Sequence, residues 1–375
     1  MEDFLQGMTY NAVNLLTGML QIPSCSFEEE ERADFLYEYL KERVLKLNMQ
    51  QKGIPDIIVC RVVNNIILYR DNFSAEKQTL MLNSHIDTVT PAPTYSFDPF
   101  APFEKDGCIY GLGSNDDGGS VVCQIEAFFY LNGERDNDAV APENLNVNLM
   151  LVLTAEEERS GSNGMARFVE TFEPKPNCAI IGEPTGMQAA IAERGLLVLD
   201  GTAEGVSGHA ARNEGVNALY IALEDINTLR NYKFEKKSPL MGDVKLTVTQ
   251  FNCGTTHNVI PAQATFVVDI RPTEQYNNEE ILDLLQKQVK STLAARNLKN
   301  RSSATPQGHF LMETVDKMGI VTQISATTSD WMKIPWPAIK MGPGDSARSH
   351  KADEFIMVQE IKDAIKGYIN FIKNI

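Results

Sequence analysis

Paired cysteines, basic clusters and long apolar runs are all missing from this chain. Its six cysteines, Cys25, Cys60, Cys108, Cys123, Cys178 and Cys253, form no C-x-x-C pair, so neither a thiolate zinc site nor a disulfide framework is indicated. Several stand among apolar neighbours and read as small core residues. No Lys/Arg block offsets the formal net charge of −16. A field of that sign repels phosphate backbones, which excludes nucleic acid as an expected partner. A small anionic substrate stays open, because a few arginines in a cleft outweigh the global sign within a Debye length of about 8–10 Å. No apolar run approaches the roughly 18 residues that a membrane span needs. The opening Met1-Glu2-Asp3-Phe4 lacks the basic and apolar regions of a secretory signal. The expectation is a cytoplasmic protein without a membrane partner. Histidine is scarce too, with five residues, so the place of each one carries weight.

At 375 residues the chain exceeds the roughly 250–300 at which a single core stops growing, which predicts two domains. Hydrophobic residues at 43% and charged residues at 22% are those of a globular chain. Apolar spacing predicts a helix from Phe4 to Leu20, and a second one from Ser26, with Glu29 completing a capping box. Val/Ile-rich stretches predict strands over Ile57 to Tyr69, interrupted at Asn64-Asn65, and over Thr79 to His85, Val147 to Thr154 and Cys178 to Ile181, with a helix over Gly118 to Leu131. This alternation is that of a mainly parallel α/β sheet flanked by helices. After Glu183-Pro184-Thr185-Gly186 the texture changes. Alternating strands at Leu196 to Ala203, Val244 to Asn252 and Ala264 to Arg271, with helices at Val216 to Leu229 and Glu279 to Ala295, predict a β-α-β-β-α sandwich of the ferredoxin-like kind. A strand at Ala338 to Met341 and a helix from Asp353 to Ile372 then resume the α/β pattern. The fold class is therefore α/β, a discontinuous domain over 1–187 and 303–375 with an α+β domain inserted at 188–302.

Residues able to do chemistry gather at predicted strand ends, where α/β sheets bind their ligands. His85 and Asp87 end an apolar strand two residues apart; either His85 binds a metal with Asp87 orienting its ring, or the two are a structural pair. The turn Gly111 to Gly119 presents Asp116 and Asp117 without the lysine of a phosphate loop or the spacing of a calcium loop, leaving a metal ligand or a helix cap. Glu156-Glu157-Glu158 follow another strand, as metal-site acids or as a solvated helix start. Glu183 is held by Pro184, and His350 precedes Asp353 and Glu354, either of which suits a cap of the last helix. Imidazole and carboxylate together suit zinc or a similar divalent ion. A serine esterase built on Ser346 and His350 lacks a strand-turn-helix elbow and leaves the acids without a role.

The ordered set His85-Ile86-Asp87, Gly111 to Gly119 with Asp116, Thr154 to Glu158, Gly182-Glu183-Pro184-Thr185, Gly208-His209, Asn258-Val259-Ile260-Pro261, Asp269-Ile270-Arg271-Pro272 and Gly342-Pro343-Gly344 leading to His350 resembles the two-zinc metallopeptidase family of acetylornithine deacetylase and succinyl-diaminopimelate desuccinylase, which includes aminoacylases and di- and tripeptidases. The resemblance runs over essentially the whole chain. It implies two divalent metal ions, zinc with cobalt or manganese as alternatives. His85 and Glu183 would hold one, Glu158 and His350 the other, and Asp116 would bridge them. It further implies Glu157 as general base, and a homodimer through the inserted domain in which His209 serves the partner's site. Arg271 and Asn258 would hold a substrate carboxylate. Many relatives follow the bridging aspartate with a hydrophobic residue and a lysine, where this chain has Asp117 and Gly118. The implied reaction is hydrolysis of an N-acyl-L-amino acid in arginine biosynthesis, an acetylornithine or acylcitrulline, with succinyl-diaminopimelate and short peptides as rivals. A non-catalytic metal-binding scaffold is the alternative of another class.

Overall fold

The computed structural model describes residues 2–135, 138–139, 141–212 and 214–375. Two compact units emerge, one of Met1–Ile191, Thr305–Gln323 and Ser329–Ile375, the other of Ala192–Ala304 with Ile324–Thr328.

The first unit is organised by a sheet in which Val147–Thr154, Gln78–His85, Cys178–Ile181 and Ala338–Lys340 run parallel as neighbours. The hairpin Ile57–Val62 and Asn65–Arg70 joins antiparallel at one side, and Ala189–Glu193 joins antiparallel next to Ala338–Lys340. Buried on both faces, the central strands are almost wholly apolar. Alternate residues serve opposite cores: Leu80, Leu82, Leu149, Leu151 and Leu153 face the helices Glu2–Leu20, Gly119–Leu131 and Val358–Asn374, whereas Met81, Met150 and Val152 meet Phe168 and Trp331. Register pairs His85 with Thr154 and Asn83 with Ile181, so the carboxyl ends of these strands lie level along one edge. Among the described residues no helix is long and apolar enough to cross a membrane.

The second unit orders its strands Lys245–Cys253, Gln263–Arg271, Leu197–Glu204 and Thr292–Ala295, every neighbour antiparallel. The helices Ala218–Asn231 and Asn278–Gln286 complete a β-α-β-β-α-β unit, with Leu197, Leu199, Phe266, Val268 and Ile270 turned into its core.

Three sequence-based boundaries shift. The helix expected over Glu279 to Ala295 stops at Gln286, and Thr292–Ala295 is a strand. Asp225 accepts the N–H groups of Lys290 and Ser291 at 3.0 and 2.7 Å, and Leu293 then pairs with Gly201, so non-local pairing overrides local helix preference. The second helix starts at Glu30 rather than Ser26, because Ser26 Oγ donates to Asp87 (2.7 Å) and Glu29 accepts from the Phe27 and Glu156 N–H groups. The last helix starts at Val358, after the short strand Phe355–Met357, and neither Asp353 nor Glu354 caps it. Asp353 accepts from Ser96 N–H and Glu354 from the Gly111–Gly119 turn.

Candidate metal centre

His85 closes its strand 3% exposed. Its Nδ1 lies 3.0 Å from the Asp87 carbonyl oxygen and 3.4 Å from Asp87 Oδ1, which makes Nδ1 a donor and turns Nε2 towards Asp116 Oδ1 at 3.2 Å. Burial opposes the imidazolium, but hydrogen bonds to Asp116 and Asp87 outweigh it and hold the His85 pKa well above 6.5.

The turn after Val147–Thr154 has a division of labour that its sequence does not reveal. The Glu156 N–H donates to Glu29 Oε1 (3.1 Å), Glu157 N–H to Asp87 Oδ1 (3.0 Å) and Glu158 N–H to Asp87 Oδ2 (3.1 Å). Glu156 takes a left-handed φ of 58° and spends its carboxylate on Asn163. Glu158 reaches His350, with Oε2 2.9 Å from Nε2. Glu157 is left buried at the strand end, its pKa pushed well above 4.5 by burial and then by the charges of Glu183, Asp330 and Glu158, with His85 opposing.

Asp116 stands between the two histidines, with Oδ1 3.2 Å from His85 Nε2 and Oδ2 3.9 Å from His350 Nε2. Neither Asp116 nor Asp117 caps the following helix. Asp117 is buried behind Asp116 beside Ser84 and Ser120, and burial pushes its pKa up to about 7. His350 has a left-handed φ of 59°, a strained backbone of the kind that gathers at functional sites, and its hydrogen bond to Glu158 raises its pKa to about 9. Ser346, by contrast, begins an exposed 3₁₀ turn. Glu183 lies 3.9 Å from Lys340 Nζ; burial drives its pKa well above 4.5 despite that lysine, with Asp116 adding to the rise.

One ligand atom from each of His85, Asp116 and Glu158 lies within 4.8 Å of the others, with His350 beside Glu158 and Asp116. Two imidazoles and a surplus of crowded carboxylates fit a first-row divalent cation in both charge and donor type. Nothing in the sequence singles out Asp330 or Lys340 for this site, and Glu29 and Glu354, which read as helix caps, serve it instead through the backbone. Lys340 stands out only as a lysine inside an apolar strand, and it is 1% exposed. Asp330 takes the Thr154 hydroxyl at 2.6 Å.

The remaining expected residues belong to the second unit. His209 is exposed on a two-strand ribbon with Val259–Ile260, and the adjacent Asn258 accepts from Ala210 N–H at 3.1 Å. Ala211 N–H donates to His209 Nδ1 (3.2 Å), leaving the ring proton on Nε2 in the neutral tautomer. Arg271 is partly exposed and makes a two-point pair with Asp269 at 2.9 and 3.1 Å.

Residues 81–374 match the model of peptidase family M20/M25/M40. A metallo-carboxypeptidase of Sulfolobus solfataricus from the M20 family is similar in structure at a TM-score of 0.71 and 18% identity, covering 96% of this chain and 98% of its own. A Staphylococcus aureus tripeptidase aligns at 0.70 and 18% identity, over 97% of this chain and 98% of its own. A dinuclear metal-binding peptidase of Bacillus subtilis aligns at 0.69 and 15% identity, over 98% of each chain. At such identities these likenesses establish the fold, a catalytic α/β unit carrying an inserted α+β unit. Match and fold together identify a metal-dependent hydrolase, and the chain belongs to peptidase family M20/M25/M40.

Proposed function

We propose that the chain hydrolyses the amide bond of an N-acyl-L-amino acid, with two divalent cations, zinc by preference, held by His85, Glu183, Glu158 and His350 and bridged by Asp116. The observation that carries this reading is Asp116 placed between His85 and His350, at 3.2 and 3.9 Å, with Glu157 buried at the neighbouring strand end. Cations bound there supply Lewis acidity and make a water a nucleophile near neutral pH. Glu157 takes the proton of the attacking water and returns it to the departing amine, which leaves poorly as an anion. Asp87 fixes the His85 ring and the Glu157 backbone together. His209, with its proton on Nε2, is a donor suited to the developing oxyanion. Because the inserted unit carries it, the reading includes a homodimer in which His209 serves the partner's site.

Arg271 is the carboxylate anchor, with Asn258 beside it in this role. The Asp269 pair is partly exposed and so cheap to exchange for a substrate carboxylate. An acetylornithine or an acylcitrulline, in arginine biosynthesis, is the preferred substrate. A second reading, hydrolysis of short peptides, is favoured by the full-length likeness to the tripeptidase. Purified enzyme assayed on N-acetyl and N-succinyl amino acids alongside di- and tripeptides decides between them. Turnover of peptides alone removes the deacylase reading.

A further inference from the structure

Glu354 is 2% exposed and spends its carboxylate on three backbone N–H groups of the turn that carries Asp116. Oε2 accepts from Gly113 at 3.0 Å, and Oε1 from Asn115 at 2.8 Å and Asp116 at 2.9 Å. Its own carbonyl accepts from Gly111 N–H at 3.0 Å. Asn115 completes the connection from the other side: its Oδ1 accepts from Asp345 N–H at 2.9 Å, and its Nδ2 donates to the Asp345 carbonyl at 3.1 Å and to Ser349 Oγ at 3.4 Å. These bonds clamp the Asp116 turn to the segment that holds His350, though well over 200 residues separate the two in sequence. Gly113 has a φ of +80°, and a Cβ there would meet Thr88 Cγ2 at 2.6 Å, so the turn has little freedom to settle elsewhere.

We propose that Glu354 is a positioning residue, a latch with Asn115 that holds Asp116 and His350 as one rigid pair. The proposal rests on the metal-site reading above. A ligand set drawn from two loops keeps its geometry only if the loops cannot drift apart, and groups that orient metal ligands typically contribute about 10–100-fold to affinity or activity when removed. With its carboxylate spent on backbone N–H groups, Glu354 acts on the site through the backbone of Asp116.

Zinc binding to the purified full chain, followed by competition with a chelating dye, tests this in wild type, Asp116→Asn, Glu354→Ala and Glu354→Gln, with kcat and KM measured at low and saturating zinc. Glu354→Ala loses all three bonds and should bind zinc about 100-fold more weakly; Glu354→Gln keeps an acceptor for Asn115 and Asp116 and should lose about tenfold. Saturating zinc should restore most of kcat in the glutamine variant, with KM unchanged throughout. Wild-type affinity in both Glu354 variants, or a loss confined to KM, overturns the latch while leaving the metal site standing if Asp116→Asn weakens binding. A wild-type chain that binds no zinc overturns the metal reading and the latch with it. Should Glu354→Ala not fold, Glu354→Gln decides, and undiminished affinity there overturns the proposal.

Discussion

The two units present their candidate residues in opposite ways. In the first, the side chains that would hold metal are backed by acids that would not: Asp87 grips His85 and the backbone of Glu157 and Glu158, Glu29 grips Glu156, and Glu354 grips the Asp116 turn. In the second, His209 is exposed on a short ribbon with Asn258 exposed beside it, and the Arg271 side chain pairs with its neighbour Asp269. Buried, cross-braced groups are placed before any ligand arrives, whereas exposed ones depend on what approaches them. The first unit should therefore govern metal binding and proton transfer, and the second the substrate and its transition state.

The largest effect should come from Glu157→Gln. An isosteric amide cannot carry the proton, so kcat should fall by up to about 10⁴-fold, with zinc content measured by metal analysis unchanged. Near-normal turnover would mean that another group serves as the base. His209→Ala should lower kcat about 10²- to 10³-fold by removing one oxyanion donor, again with full zinc. Loss of zinc in that variant would break the comparison, since it would tie the ribbon to the metal.

Strand ends were legible because buried parallel strands are unbroken apolar runs, and an acid or histidine immediately after one stands out: His85, Glu158 and Glu183 follow such runs. What the sequence concealed is non-local. Ser26 and Glu29 satisfy a capping pattern, but their side chains serve Asp87 and the Glu156 backbone, 60 and more residues away. Glu354 resembles a helix cap for the same reason, since a carboxylate before a helix satisfies a local rule whichever backbone it binds. Thr292–Ala295 contains helix-compatible residues and becomes a strand only because Leu197–Glu204 offers an edge. Nor does a run of three glutamates disclose that Glu156 belongs to Asn163.

Arg271→Ala sharpens the comparison on the substrate side. Losing a charge-assisted hydrogen bond of about 1.5–3 kcal/mol should raise KM about ten- to hundredfold with kcat held, and a substrate lacking a carboxylate should not respond. An equal effect on both substrates would mean that the Arg271–Asp269 pair is structural.

The smallest effect is a slope with pH. His350 in the metal-free chain has its pKa raised to about 9 by Glu158, and a metal binds only the neutral ring, so zinc must expel that proton at any lower pH. Apparent zinc affinity should therefore rise at least about tenfold per pH unit from 7 towards 9. The sign for stability is the reverse: a histidine whose pKa is raised on folding stabilises the metal-free chain fully below about 6.5, and that contribution is lost as pH rises through about 9. Metal-free and zinc-loaded protein should then drift apart in melting temperature as pH increases, by a small amount because His350 is half exposed. His209→Ala should leave the slope intact and His350→Ala should make it shallower, leaving the part that the raised pKa of His85 contributes. A flat profile in the unaltered protein would mean that zinc does not displace the His350 proton, and the braced site of the first unit would have to close around its metal without that residue.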